Sequence, residues 1–169
     1  APVGTAVAQF LEVGIGARGV GMGEAFTAVT NDVNSVFWNP AGLANMQDKQ
    51  LVLNYNRWPA EISIGGMAFG MNFDRIGIFA LSAVYLATGK MDVTTVYDPE
   101  GTSGQTFNIT NYALGLSYSR YMTERLAVGI TLKLVSEKYW TYGYTTAAID
   151  LGTCYHTGYH GLNIAMSIL

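Results

Sequence analysis

Arg125-Leu126-Ala127-Val128-Gly129-Ile130-Thr131-Leu132-Lys133-Leu134-Val135 is the stretch on which the fold turns. Its even positions are Leu126, Val128, Ile130, Leu132 and Leu134, and its odd positions up to Lys133 are Arg, Ala, Gly, Thr and Lys. Successive side chains of a β-strand point to opposite faces, so the segment presents one aliphatic face and one small or polar face. Working outward, Tyr112–Ser119, Ala147–Tyr155 and Leu162–Ile168 alternate in the same way. Further upstream, Leu51–Trp58, Glu61–Phe73 and Ile76–Leu86 read as strands with more mixed faces, which makes seven in all. Asn72-Phe73-Asp74-Arg75, Met122-Thr123-Glu124-Arg125 and Thr157-Gly158-Tyr159-His160-Gly161 carry turn chemistry between them.

Composition says what surrounds these strands. Apolar residues make up 50% of the 169-residue chain and charged residues only 12%, about half the share of an ordinary soluble domain. That balance excludes disorder. Nine Lys+Arg against twelve Asp+Glu leave a net charge of −3 with no basic stripe, so no nucleic-acid partner is expected. The charge-free stretches are too short (Ile76–Gly89) or too polar (Gly101–Ser119) for a transmembrane helix. The other structure able to span a membrane is a closed barrel of alternating strands. Tyr55, Trp58, Tyr85, Tyr118, Tyr121, Tyr139, Trp140, Tyr155 and Tyr159 gather at strand ends, as interfacial aromatic girdles do. Short turns at one end and longer connections at the other, Lys90–Thr106 and Tyr139–Tyr144, fit the same architecture. A soluble β-sandwich shares the alternation but carries more charge on its outer face. The expected fold is therefore all-β, a transmembrane antiparallel β-barrel. Bacterial barrels have even strand numbers, and this chain stops inside an apolar strand at Ser167-Ile168-Leu169. Two expectations follow: the remaining strands belong to a longer chain, or the edges pair with partner chains.

Residues 1–48 differ in texture, being rich in Gly, Ala and Asn without a period of two. Gly14-Ile15-Gly16-Ala17-Arg18-Gly19 matches the glycine spacing of a dinucleotide-binding turn, but no βαβ pattern follows it. Close backbone packing is the simpler reading of those glycines. Cys154, His156 and His160 lack a fourth ligand, and Asp92, Asp98 and Glu100 lack the spacing of a calcium loop. No nucleophile–base motif is present. No metal, cofactor or catalytic residue is expected, and the protein is read as non-enzymatic. If the aliphatic faces point to lipid, Lys133 and Asp150 share the lumen face on neighbouring strands and can pair, with Arg18, Glu24 and Asp32 available to extend a lumen charge network.

Gly4-Thr5-Ala6, Gln9-Phe10-Leu11 and Gly16-Ala17-Arg18-Gly19-Val20-Gly21-Met22-Gly23-Glu24-Ala25-Phe26 resemble the mature N-terminus of PorV/PorQ-type outer-membrane proteins. Phe37-Trp38-Asn39-Pro40-Ala41-Gly42-Leu43-Ala44 resembles the Asn-Pro-Ala-Gly-Leu signature of that family, and Asp150-Leu151-Gly152 adds to the likeness. More distantly, the chain is similar to the FadL fatty-acid transporters. The resemblance implies a FadL-like barrel of about fourteen strands, with residues 1–48 as a plug inside it and 50–169 as its first half. Arg18, Gly19, Gly21, Met22, Gly23, Asn39, Pro40 and Gly42 would form the structural plug motif. It also implies a bacterial outer-membrane location after export, with Ala1-Pro2 fitting a mature end, and a role as an accessory in type IX-like secretion. Its partners would be outer-membrane lipid and secreted protein cargo or other secretion machinery, met through the Lys90–Thr106 and Tyr139–Tyr144 loops. The alternatives are a FadL-like channel for hydrophobic small molecules and an assembly protein whose barrel closes with partner chains.

Overall fold

The computed structural model describes residues 8–59, 61–94, 96, 99, 104–139 and 142–169. Gly4-Thr5-Ala6, Asp98, Glu100 and Trp140, singled out above, lie outside them. Among the described residues, nine strands follow an N-terminal segment of short helical turns: β1 (Gln50–Arg57), β2 (Ser63–Asn72), β3 (Ile78–Ala87), β4 (Met91–Asp92), β5 (Thr106–Phe107), β6 (Ile109–Tyr121), β7 (Leu126–Tyr139), β8 (Tyr142–His156) and β9 (Asn163–Ile168). β4 and β5 pair only with each other, within the long connection between β3 and β6. The other seven form one curled antiparallel sheet, a half-barrel, in the order β1-β2-β3-β6-β7-β8-β9. Among the described residues β1 and β9 each have a single neighbour. No helix among the described residues is long and apolar enough to cross a membrane.

The alternation places large side chains outward. One outer row across the sheet is Phe69, Leu81, Leu116, Leu132 and Ile149, each directly opposite the next. All five are exposed, Leu132 at 51%. The parallel inner row is Gly70, Ala80, Ser117, Thr131 and Asp150. Four of these are glycine, alanine or a hydroxyl residue, and the inner face is where the core sits.

The N-terminal segment covers that inner face. It comprises 3-10 turns at Gln9–Glu12, Val33–Phe37 and Pro40–Asn45 and a short helix, α1 (Ala17–Gly21). Val33, Val36, Leu43 and Met46 pack on Ala68, Ile78 and Ala80 of β2 and β3. Phe10 and Ile15 pack on Val84, Ala113 and Val135, while Ala41 meets Ala127 and Cys154. Small sheet residues accept large segment residues, so the layers close without a second sheet.

Two details depart from the sequence expectation. Most of the expected Tyr139–Tyr144 loop is strand instead: β7 runs to Tyr139 and β8 starts at Tyr142, which lies opposite it, with Lys138 opposite Gly143; residues 140–141 lie outside the described ones. The Tyr- and Thr-rich sequence there suits a pleated ladder and extends the strands. Tyr121 and Tyr139 are also not outward girdle residues. Their hydroxyls bond inner-face partners: Tyr121 donates to Asn45 Oδ1 and meets His156 Nε2 at 3.1 Å, and Tyr139 donates to Glu137 at 3.4 Å. The outward band at the Tyr139 end is Tyr55, Tyr85 and Tyr112, aligned in one row through Gly65.

Candidate functional site

The segment-to-sheet interface gathers most of the polar residues singled out in the sequence. Its anchor is Asn39-Pro40-Ala41. Asn39 is fully buried and precedes a proline, which holds it extended. Its Oδ1 accepts from Ala41 N at 3.0 Å, capping the Pro40–Asn45 turn. Its Nδ2 donates to Thr27 O at 2.9 Å and to Thr153 O of β8 at 3.2 Å. One amide thus ties two parts of the segment to the sheet.

The sheet makes room for it. Gly129 and Gly152 lie directly opposite each other in β7 and β8. A Cβ on Gly129 would collide with the Pro40 and Ala41 backbone, and one on Gly152 with the Asn39 side chain. Beside this flat spot Ser119 Oγ donates to Ala41 O at 3.2 Å.

The glycine-rich stretch divides in two. Gly19 packs under Trp38, where an added Cβ would lie 2.6 Å from the indole, and Trp38 Nε1 donates to Ile15 O at 2.8 Å. Gly42 is closed in by Thr30 and Ser35. Gly21, Met22 and Gly23 are exposed, and a Cβ on either glycine would meet nothing within 4 Å. Gly23 answers instead to its positive φ of 62°. Close packing therefore explains Gly19 and Gly42 but not Gly21.

The charged residues form two separate pairs. Lys133 and Asp150 are diagonal neighbours on β7 and β8, with Lys133 Nζ 2.5 Å from Asp150 Oδ2. Asp150 is 1% exposed. Among the described residues its Oδ2 has no partner of hydrogen-bond geometry, so the pair rests on charge. Arg18 pairs with Asp32 at 3.6 Å, donates to Asn31 Oδ1 at 2.7 Å and lies over the Phe26 ring. Asp32 also caps the Val33–Phe37 turn by accepting from Asn34 N. Glu24 lines the same cavity as Lys133 and Asp150, whereas Arg18 and Asp32 do not. That cavity, of about 520 Å³ between segment and sheet, is walled by Leu11, Ile15, Phe37, Trp38 and Val84.

A residue the sequence did not single out is Glu137. It is 1% exposed on β7 and accepts from Ala8 N at 3.3 Å, so it holds the start of the described segment. Its odd position on the Lys133 face was the available signal. Cys154 is buried against Ala41 and Ala127, and no group of three metal-ligating side chains occurs among the described residues.

A family profile described as an uncharacterised protein family, UPF0164, matches residues 3–157. The chain belongs to this family. The match spans the N-terminal segment and β1 to β8, so the interface between them lies wholly within the extent of UPF0164. No curated protein matches the chain. UPF0164 carries no assigned function, and the likeness to PorV/PorQ and FadL proteins rests on the sequence motifs alone.

Proposed function

We propose that the protein is a non-enzymatic outer-membrane β-barrel component of PorV/PorQ type, serving as an accessory in protein export. The observation that carries the membrane part is the outer face of the sheet. Large aliphatic and aromatic side chains stand exposed on all seven of its strands, far beyond the patch a water-soluble monomer normally shows. β6, Ile109–Tyr121, is 13 residues long, about 40 Å of strand, enough for a strand tilted by about 40° to cross an apolar band of about 25 Å. In lipid the edges of β1 and β9 require partners, from strands of the same polypeptide or of another. The N-terminal segment then lies on the lumen side, as a plug does.

The export role rests on the sequence resemblance and places recognition on the long connection between β3 and β6. A second reading, a FadL-like passage for hydrophobic small molecules, is favoured by the cavity between segment and sheet, whose wall is mainly apolar but also carries Glu12, Glu24, Lys133 and Asp150. Deleting the gene separates the two. Loss of surface-exported proteins with unchanged uptake of labelled fatty acid supports the export role. Lost uptake with normal export supports the passage. Recovery of the protein in the soluble fraction overturns both.

A further inference from the structure

Among the described residues, the guanidiniums of Arg75 and Arg120 form no salt bridge. They line one hollow of about 260 Å³ at the short-turn rim of the sheet, which also takes in inner-face Ser119 and Tyr121, with Asp74 as its carboxylate. Adjoining it at Ile76 is an almost wholly apolar groove of about 490 Å³ on the outer face, walled by Phe69, Met71, Phe79, Leu81 and Leu116. The groove belongs to β2, β3 and β6, away from both sheet edges.

The sequence builds this junction closely. The turn from Phe73 to Gly77 is closed by Phe73 N donating to Gly77 O at 3.0 Å and Ile76 N donating to Phe73 O at 2.9 Å. Tyr118 donates to Ile76 O at 2.7 Å, pinning the turn to β6. Phe73 meets Phe79 edge-on at 5.7 Å, and Phe79 stacks toward Tyr118 at 4.9 Å, giving the groove a firm aromatic end. Gly77 has φ +125°, and a Cβ there would lie 2.7 Å from Ser119 O and 3.2 Å from Arg120 Cβ. Glycine is what lets the Arg75 turn settle against Arg120.

We propose that this junction is a binding site for one glycerophospholipid, with an acyl chain in the Phe69–Leu116 groove and the phosphate between Arg75 and Arg120. The proposal rests on the membrane reading above and names a partner within it. Guanidinium is the cation best matched to a phosphate, by its planar fork of donors. Two guanidiniums and one carboxylate leave a net single positive charge, which complements one phosphodiester. The site also lies at the end opposite the long β3–β6 connection, the end that short turns occupy on the inner, phospholipid side of outer-membrane barrels. A neighbouring hollow on the same face, bounded by Leu114, Leu132 and Leu134, has no guanidinium, and its one cation, Lys133, pairs inward with Asp150, so it serves as the internal comparison.

The test uses protein extracted from the outer membrane in micelles of an uncharged sugar detergent. Two photoactivatable probes with the same acyl chains are added in trace, phosphatidylglycerol and diacylglycerol. Cross-links are mapped by peptide mass spectrometry. Phosphatidylglycerol is expected to label Phe69–Phe79 about tenfold more than diacylglycerol, the size of one charge-assisted hydrogen bond. Both probes should label Leu132 and Leu134 equally. The double variant Arg75→Gln, Arg120→Gln, at exposed positions, should remove the excess, and Arg75→Lys, Arg120→Lys should restore part of it. Equal labelling of the groove by both probes, or an excess that survives the Gln pair, overturns the site and leaves the membrane reading standing. No labelling by either probe at Leu132 and Leu134 overturns the membrane reading and the site with it.

Discussion

On the inner face of β7 stand Ala127, Gly129, Thr131, Lys133 and Val135; on its outer face stand Val128, Ile130, Leu132 and Leu134. The inner set is buried or nearly so, and Ile130, Leu132 and Leu134 of the outer set are exposed. A strand at the surface of a water-soluble protein would put the two sets the other way round. The inner face is small because backbone meets it directly, as Pro40–Ala41 meets Gly129 and Gly152. It is polar because that backbone brings carbonyls and amides that must be bonded, as Ser119 bonds Ala41 O. On the proposed membrane reading the outer face is large because lipid is its neighbour, and the two faces obey different solvents. Variants on each face test that contrast.

The largest effect is expected inside. Asp150→Ala leaves Lys133, 14% exposed, without its contact counter-charge in a cavity whose remaining carboxylates, Glu12 and Glu24, form no salt bridge with it among the described residues. A loss of about 3 kcal/mol, at the low end for an orphaned buried charge, should appear in the urea midpoint of the micellar protein. The double variant Lys133→Met, Asp150→Leu removes both charges and should recover most of it. If the single variant loses nothing, the pair is solvated and the inner face is wet.

Next is the outer face, where the comparison is most easily broken. Leu132→Arg places a charge in the middle of the outer row. In lipid this costs about 2–4 kcal/mol, whereas at a water-exposed site it would stay within about 0.5 kcal/mol. The check is unfolding of protein reconstituted in vesicles. A neutral result would mean that the outer face meets water or another protein.

How far the sequence disclosed this arrangement follows from the same two faces. Period-two alternation made β6 to β9 plain, because one side of each strand is aliphatic. β1 to β3 were blurrier, since Gly66 and Gly70 interrupt the inner pattern where Ile15 and Met46 intrude, and Gly65 interrupts the outer one beneath Tyr85. Lys133 and Asp150 could be placed on one face by parity alone. Their diagonal contact depends on register, in which Tyr139 lies opposite Tyr142 and Thr131 opposite Asp150, and alternation alone does not fix register. The separation of Arg18–Asp32 from that pair was not legible, because the N-terminal segment has no repeat from which to read its path. Nor was the cap on Pro40–Asn45 distinguishable from a simple turn until Thr153 O appeared beside Asn39.

Asn39 tests the seam between segment and sheet. Asn39→Ala removes the cap and both donors, an expected loss of about 2 kcal/mol. Asn39→Asp keeps the cap oxygen and loses the donors to Thr27 O and Thr153 O, so it should recover only part. Limited proteolysis resolves where the loss falls. Cleavage should rise within the segment while the strands stay protected. Equal cleavage of both would mean that segment and sheet unfold together.

The smallest effect sharpens the contrast between the two ion pairs. Arg18 is 49% exposed and Asp32 29%, at a separation of 3.6 Å. Solvent screens such a pair, and its removal normally costs about 0.2–1 kcal/mol. Arg18→Gln should therefore shift the urea midpoint only slightly, and the difference from wild type should shrink further in about 1 M salt, where the screening length is about 3 Å. The Asp150→Ala deficit should survive the same salt, because Asp150 is sealed from it. Phe26 sets the lower bound on the Arg18 effect, since the guanidinium also rests on its ring 5.1 Å from the centroid. That contact is lost in the Gln variant whatever the salt, so a residue of the deficit should persist. A salt-insensitive deficit at Arg18 as large as that at Asp150 would place both pairs in one dry network and erase the distinction drawn between them.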